Sequence, residues 1–335
     1  MYEHQFCQKF FQKSLPKSLH DKRAKCLTNI IGSMLSYGKQ ISLTEIGRHL
    51  NGKAAVKHKI KSVDRFIGNR KINNDIKDIC KSICEFLFKG FNELCVLVDW
   101  SGCCQKDAHV LQASVAFKGR SIPIYAEVHP LEVTESKSVH DEFLENLSHV
   151  IPQNLAITII TDAGFHRDWF SKVIGLGWDF IGRVYSKYQY MLENCADWLK
   201  VSELQLESKA KPFKVGNILL GKTKSPLNCW LYTCKQKPSG KSHKKNKYPD
   251  HEKAHSSSYR STWVIASSLD KPAKYLIGYY KKRMQIEQNF RDIKNRDLGL
   301  GLRRNKSSGI HRAQVLYFIA MLITVLLWWI GFSCE

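Results

Sequence analysis

Residues 95–128 read CVLVDWSGCCQKDAHVLQASVAFKGRSIPIYAEV. Three runs inside this stretch, CVLVD (95–99), HVLQASVAF (109–117) and RSIPIYAEV (120–128), are rich in β-branched residues and separated by charged or glycine-containing breaks. They predict three strands of an antiparallel meander. Working outward, SVHDEFLENLSHVI (138–151) has amphipathic helical spacing, and AITIIT (156–161) is another short β-branched run. FHRDWFSKVIGLG (165–177) predicts a helix ended by glycine, and WDFIGRV (178–184) a further strand.

Three strands, helix, strand, helix, strand is the order of a ribonuclease-H-like core, so the fold class expected is α/β with a mixed sheet. Two of the strands end in an acid. Asp99 closes Cys95-Val96-Leu97-Val98, and Asp162 closes Ile157-Thr158-Ile159-Ile160-Thr161. An acid just past a buried strand lies at the sheet edge where α/β proteins place ligands, although a single such Asp also suits a turn or a helix cap. A third acid comes from the spacing Y-x2-R-x3-E-x6-K formed by Tyr280, Arg283, Glu287 and Lys294. At about 100° per residue, one continuous helix would put these four and Arg291 on one stripe, with Ile286, Phe290 and Ile293 on a separate apolar face. The stripe is either a solvated face with pairs such as Arg283–Glu287 or a carboxylate set among cations that grip a phosphate backbone. Asp99, Asp162 and Glu287 together offer the oxygen ligands that hard divalent cations prefer, with Asp99 the candidate bridging ligand.

VLVDWS, TDAGF and YKKRMQIEQNFRDIK resemble the three blocks of the bacterial DDE transposases of the insertion-sequence-four family, with the closest likeness to the Tn-ten-type transposases. The likeness extends through LTEIGRHL, ASVAFKGRS, STWVIASSL and GLGLR, from about residue 20 to about residue 330. It implies the same ribonuclease-H-like fold. It implies a cut-and-paste transposase that hydrolyses element ends, passing through a DNA hairpin, and transfers the 3′-hydroxyl into target DNA. Two Mg2+ ions, replaceable by Mn2+, would be held by Asp99, Asp162 and Glu287. Tyr280, Arg283, Lys294 and Arg291 would hold DNA near the scissile bond. Trp263 is either a stacking partner for a flipped base or a packed strand residue. The partners implied are terminal inverted repeats and target DNA, bound by a homodimer on two DNA ends in the bacterial cytoplasm at the nucleoid. Members of that family continue past the position of Glu335, so end pairing is expected through other surfaces, or is lost in a truncated derivative or a DNA-binding repressor.

Composition agrees with a polyanionic partner. The 335 residues carry 52 Lys and Arg against 30 Asp and Glu, a formal charge of +22. The eleven cysteines are odd in number and follow no apolar leader, which favours reduced thiols over disulfides, and their spacing does not favour a zinc site. Residues 1–90 read as a helical DNA-binding domain. LTEIGRHL (43–50) and a second helix over 54–67 form a helix–turn–helix that presents Lys57, Lys59 and Lys61, or else a helical hairpin with a solvated cationic face. Core segments are expected over 91–185 and 261–335, with a β-rich insertion over 186–260 that ends in a basic loop. The uncharged run Val315–Phe332 is long enough to cross a membrane, but is expected as a core helix with no membrane partner.

Overall fold

The computed structural model describes residues 2–37, 40–105, 107–193, 195–235 and 262–334. The expected basic loop, from Lys235 to Ser258, lies outside the described residues after its first position.

In chain order the helices are α1 (Tyr2–Ser14), α2 (Asp21–Tyr37), α3 (Leu43–His49), α4 (Val56–Ile67) and α5 (Arg70–Leu87). Strands β1 (Glu93–Gly102), β2 (Ala108–Ala116) and β3 (Ser121–Pro130) follow, then α6 (Lys137–Val150), β4 (Ala156–Thr161), α7 (Arg167–Gly175) and β5 (Asp179–Arg183). Next come β6 (Gln189–Leu192), β7 (Leu199–Lys200), α8 (Val201–Glu207), β8 (Phe213–Leu220), β9 (Leu227–Lys235) and β10 (Thr262–Ser267). The chain closes with α9 (Ala273–Tyr280), α10 (Met284–Lys294) and α11 (Ile310–Cys334). This is a mixed α/β chain, and the meander, helix, strand, helix, strand order expected over 95–184 is present.

The chain divides into two compact units, one of residues 1–156 with 284–335 and one of residues 157–283. In the first unit β1, β2 and β3 form the antiparallel meander, in sheet order β3-β2-β1. Asp99 pairs across to Gln112. The β2–β3 register slips at Ala113/Ser114, beside Pro123, which has no N–H to give to a regular ladder. The free edge of β3 is covered by a side chain of α11. Gln314 accepts from Val128 N–H at 2.6 Å and donates to the Ala126 carbonyl at 2.9 Å.

The core of this unit is built around α11. Ala313 and Val315–Ile323 are buried, as are Val325 and Leu326, and the helix packs on β3, α2, α4, α5 and α10. An 18-residue stretch of it has a mean hydropathy of 2.3, apolar enough to cross a membrane, yet 61% of that stretch is buried inside the protein. The helix is therefore longer than the expected Val315–Phe332 and takes a core position. The N-terminal helices pack into the same unit rather than apart from it, since α2, α4 and α5 all contact α11.

Helices α3 and α4 form the expected pair, with Ser42 capping α3 through the Glu45 N–H at 3.2 Å. They cross so closely that a Cβ on Gly47 would lie 2.5 Å from Ile60 Cγ1 and 2.7 Å from Ile60 Cα. Backbone cannot yield as a side-chain tip does. Gly47→Ala is expected to destabilise the protein by about 1–3 kcal/mol, measured as a lower urea midpoint at unchanged slope.

In the second unit β4 and β5 run parallel, joined through α7, while β5 pairs β10 antiparallel and the order continues β9-β8-β6-β7. Gly182 of β5 is required for packing, because an added Cβ would lie 2.2 Å from Phe170 Cζ, and that ring stacks on Phe180 at 4.5 Å. Strands β6 to β9 fall within the stretch expected as a β-rich insertion, and LNCWLYTC is strand β9; they belong to the same unit as β5 and β10.

Candidate active site

Asp99 lies near the end of β1, 9% exposed, and the five positions before it, Leu94–Val98, are all buried. Its Oδ1 accepts from the Trp100 N–H at 2.9 Å. Trp100 points to the opposite face, as strand alternation requires, and its indole N–H donates to His140 Nε2 of α6 at 2.9 Å. The carboxylate-bearing strand end is thus locked from behind.

Glu287 sits in the first turns of α10, half-buried, where a carboxylate also suits the positive end of the helix dipole. Ile286, Phe290 and Ile293 of that helix are buried, and it packs against β1, β2 and β3. The helix expected over residues 280–294 is not continuous. Tyr280 ends α9, Lys281–Arg283 form a 3-10 turn, and α10 begins only at Met284. The 3-10 turn changes the rotation per residue, so ideal α-helical spacing does not carry through Lys281–Arg283. Glu287, Arg291 and Lys294 do share α10 at i, i+4 and i+7.

Lys294 is the informative member of that stripe. It is 7% exposed, donates from Nζ to Ser101 Oγ, and lies over the Phe290 ring at 4.8 Å. Burial pushes its ammonium down to about 8 from the ordinary 10.5, the Arg303 charge adds to this, and Cys103 and Asp99 oppose it. The Asp99 carboxylate is the weakest of these influences on Lys294. The neighbouring Cys103 thiol is held below its ordinary value, chiefly by its contact with Cys104 Sγ at 3.6 Å, and burial opposes the shift. All eleven cysteines are free thiols.

A folded-state value below the ordinary one means that the unfolded chain binds more protons between about pH 8 and 10.5. Stability contributed by this group must then rise with pH across that window. Lys294→Met is expected to raise the melting temperature at pH 7 without metal, by on the order of 3 kcal/mol of stability, and to flatten the rise above pH 8. Parallel thermal melts of both proteins from pH 7 to 10.5 in a chelator check this.

Asp162 and its surroundings belong to the second unit. It follows β4, and its Oδ1 accepts from the Gly164 N–H at 2.8 Å, a tight turn that leads into α7. Tyr280 is 2% exposed and meets Trp263 of β10 edge-on at 5.0 Å, with Trp263 half-buried. Of the cations expected on DNA, Arg291, Lys57 and Lys61 are exposed, while Arg283 and Lys59 are half-buried.

The oxygen donors of Asp99, Asp162 and Glu287 suit magnesium or manganese by their chemistry. Among the described residues, however, no group of three His, Cys, Asp or Glu side chains is gathered closely enough to hold an ion. Asp99 and Glu287 belong to one unit and Asp162 to the other. Sequence reasoning missed Ser101, although alternation places it on the face of Asp99, and it missed the partners of α10 on β2, which only the packing brings together.

Among solved structures, Argonaute from Aquifex aeolicus is similar at 10% identity with a TM-score of 0.28, covering 59% of this chain and 25% of that one. A second Argonaute structure from the same organism shares 11% identity with a TM-score of 0.27, covering 68% and 33%. This chain thus spans between a quarter and a third of those proteins, a likeness too slight to carry the fold. No curated protein matches the chain. The profile of the transposase DDE domain matches residues 98–326, more than half of the 335-residue chain and a span that includes Asp99, Asp162, Glu287 and Lys294. The chain therefore belongs to the transposase DDE domain family.

Proposed function

We propose that this protein is a cut-and-paste DNA transposase of the insertion-sequence-four type, related to the Tn-ten transposases, built on a ribonuclease-H-like core. The observation that supports it best is the placement of α10. The helix lies on the meander so that its Lys294 meets the strand end carrying Asp99, and the same helix carries Glu287. Support for the core assignment comes from the element order over 95–184 and the parallel β4–β5 pair that follows the antiparallel meander.

In this reading Asp99, Asp162 and Glu287 bind two Mg2+ ions when DNA is engaged, with Mn2+ able to substitute. The ions supply charge neutralisation at the attacking and leaving oxygens of an in-line displacement. The protein's own groups do the rest. Lys294, a cation poorly solvated by water, places charge beside the bridging acid and neutralises a phosphate there. Arg283 and Arg291 hold the strand by charge-assisted hydrogen bonds. Trp263 and Tyr280 form an aromatic wall near the scissile bond. The first nucleophile is water, which frees a DNA 3′-hydroxyl; that hydroxyl attacks the opposite strand to form a hairpin and release the flanking DNA, a second water opens the hairpin and restores the 3′-hydroxyl, and this hydroxyl then attacks target DNA. The N-terminal α3–α4 pair reads the terminal repeats, and a homodimer joins the two ends in the bacterial cytoplasm.

The test is a cleavage assay with DNA flanking the gene itself. Mg2+-dependent nicking at the element end, a hairpin intermediate and joining to a target plasmid are expected. Cleavage without joining makes the protein a nuclease or a truncated derivative, and binding without cleavage makes it a repressor. Lys57, Lys59 and Lys61, all replaced by Ala, should lower affinity for terminal-repeat DNA and flatten its salt dependence by roughly three phosphate contacts. Gel-shift titrations at several salt concentrations check this, and an unchanged slope sinks the recognition role of α4.

A further inference from the structure

Directional contacts hold α10 over the β1–β2–β3 meander, in addition to its apolar face. At its first turn Gln285 exchanges two hydrogen bonds with the Phe117 backbone, accepting from the N–H at 3.1 Å and donating to the carbonyl at 2.7 Å. At its middle, Asn289 Oδ1 accepts from Gln112 Nε2 at 3.0 Å. At its last residue, Lys294 donates to Ser101 Oγ. Gln112 directly faces Asp99 in the β1–β2 register, and Ser101 lies further along β1, opposite Val110. The three contacts therefore follow one another along the strand pair as the helix does.

The central contact is the buried one. Gln112 is 0% and Asn289 1% exposed. Gln112 Nε2 also donates to Ser114 Oγ at 2.8 Å, and its Oε1 accepts from the Tyr317 hydroxyl of α11 at 2.6 Å. Apolar burial is non-directional, so Ile286, Phe290 and Ile293 alone would tolerate a small slide or turn of the helix. A buried amide pair does not tolerate it, because displacement leaves polar groups without partners.

We propose that Gln112 and Asn289 are positioning residues that fix the height and rotation of α10, and so the place of Glu287 relative to Asp99. The proposal rests on the reading of Asp99 and Glu287 as metal-binding acids. Gln112 is the cross-strand neighbour of Asp99. Asn289 follows Glu287 by two residues, about 200° around the helix, so it anchors the face turned away from the acid. The amide pair joins the strand position opposite Asp99 to the helix residue two positions after Glu287.

The experiment compares the full chain with Asn289→Leu, Gln112→Leu and the double variant, using three measurements. These are melting temperature, DNA affinity in a chelator, and Mn2+ affinity read by electron paramagnetic resonance of the free ion. Each single variant should melt lower, keep its DNA affinity and bind Mn2+ at least about ten-fold more weakly, the usual loss when a group orienting a ligand is removed. The double variant, which removes both amides together, should regain part of the melting temperature but none of the Mn2+ affinity. Wild-type Mn2+ affinity in the single variants, or its return in step with melting temperature, overturns the proposal and leaves the pair a packing feature. If Asn289→Leu does not fold, Tyr317→Phe deletes one oxygen, keeps the ring and loosens the same Gln112 amide, with the same shift expected. Failure of the underlying function is separately visible, since the wild type would then bind no Mn2+, or Asp99→Asn would bind it as well as the wild type does.

Discussion

Asp99→Asn is expected to lower metal-dependent cleavage of end-containing DNA by at least about a thousand-fold, several kcal/mol of transition-state stabilisation, while DNA affinity in a chelator stays near wild type. The substitution keeps the shape and one oxygen of the side chain, so the hydrogen bond from the Trp100 N–H can persist and the strand end need not move. What is removed is a charge on the axis between β1 and α10, where it opposes the downward push of burial on Lys294. Loss of that charge has a second, independent readout. The Lys294 ammonium should titrate still lower in Asp99→Asn than its value of about 8 in the unchanged protein, observable by NMR of selectively labelled lysine. Glu287→Gln and Asp162→Asn should match the loss of cleavage. A variant of any of the three that cleaves at near the wild-type rate would remove that residue from the catalytic set.

Leu322→Asp is expected to prevent folding altogether. Leu322 is 1% exposed in the stretch of α11 that packs on the meander and the N-terminal helices. An unpaired carboxylate there costs several kcal/mol or neutralises at similar expense, and it forfeits the apolar burial as well. A domain's whole stability is only about 5–15 kcal/mol, so little would remain. Leu322→Ala is the graded comparison, with a loss of about 2–5 kcal/mol and a folded product. Insoluble or unfolded Leu322→Asp protein does not by itself separate a core helix from a membrane helix. Fractionation of the unchanged chain does, because a core helix leaves it in the aqueous phase without detergent. Partition into membranes would overturn the packing of α11 described above.

The sequence alone determined the alternation of the strands and the order of elements over 95–184. Each depends on local preference: β-branched runs, glycine stops and capping residues act within a few positions. It also singled out Asp99, Asp162 and Glu287 as residue types in a chemically suggestive order. It misread the stretch from Tyr280 to Lys294 as one helix, because helical spacing persists in a sequence whether or not a 3-10 turn interrupts the rotation. It gave no sign that the N-terminal helices share a core with the meander. That outcome depends on α11, an apolar helix whose length and hydropathy also suit a membrane, finding α2, α4, α5 and β3 to bury it. Nor could it pair Gln112 with Asn289, 177 positions apart, or Ser101 with Lys294, 193 apart. Such contacts carry no periodic signal. They exist because the tertiary fold excludes water there, and a buried amide or ammonium must then find its partner within the protein.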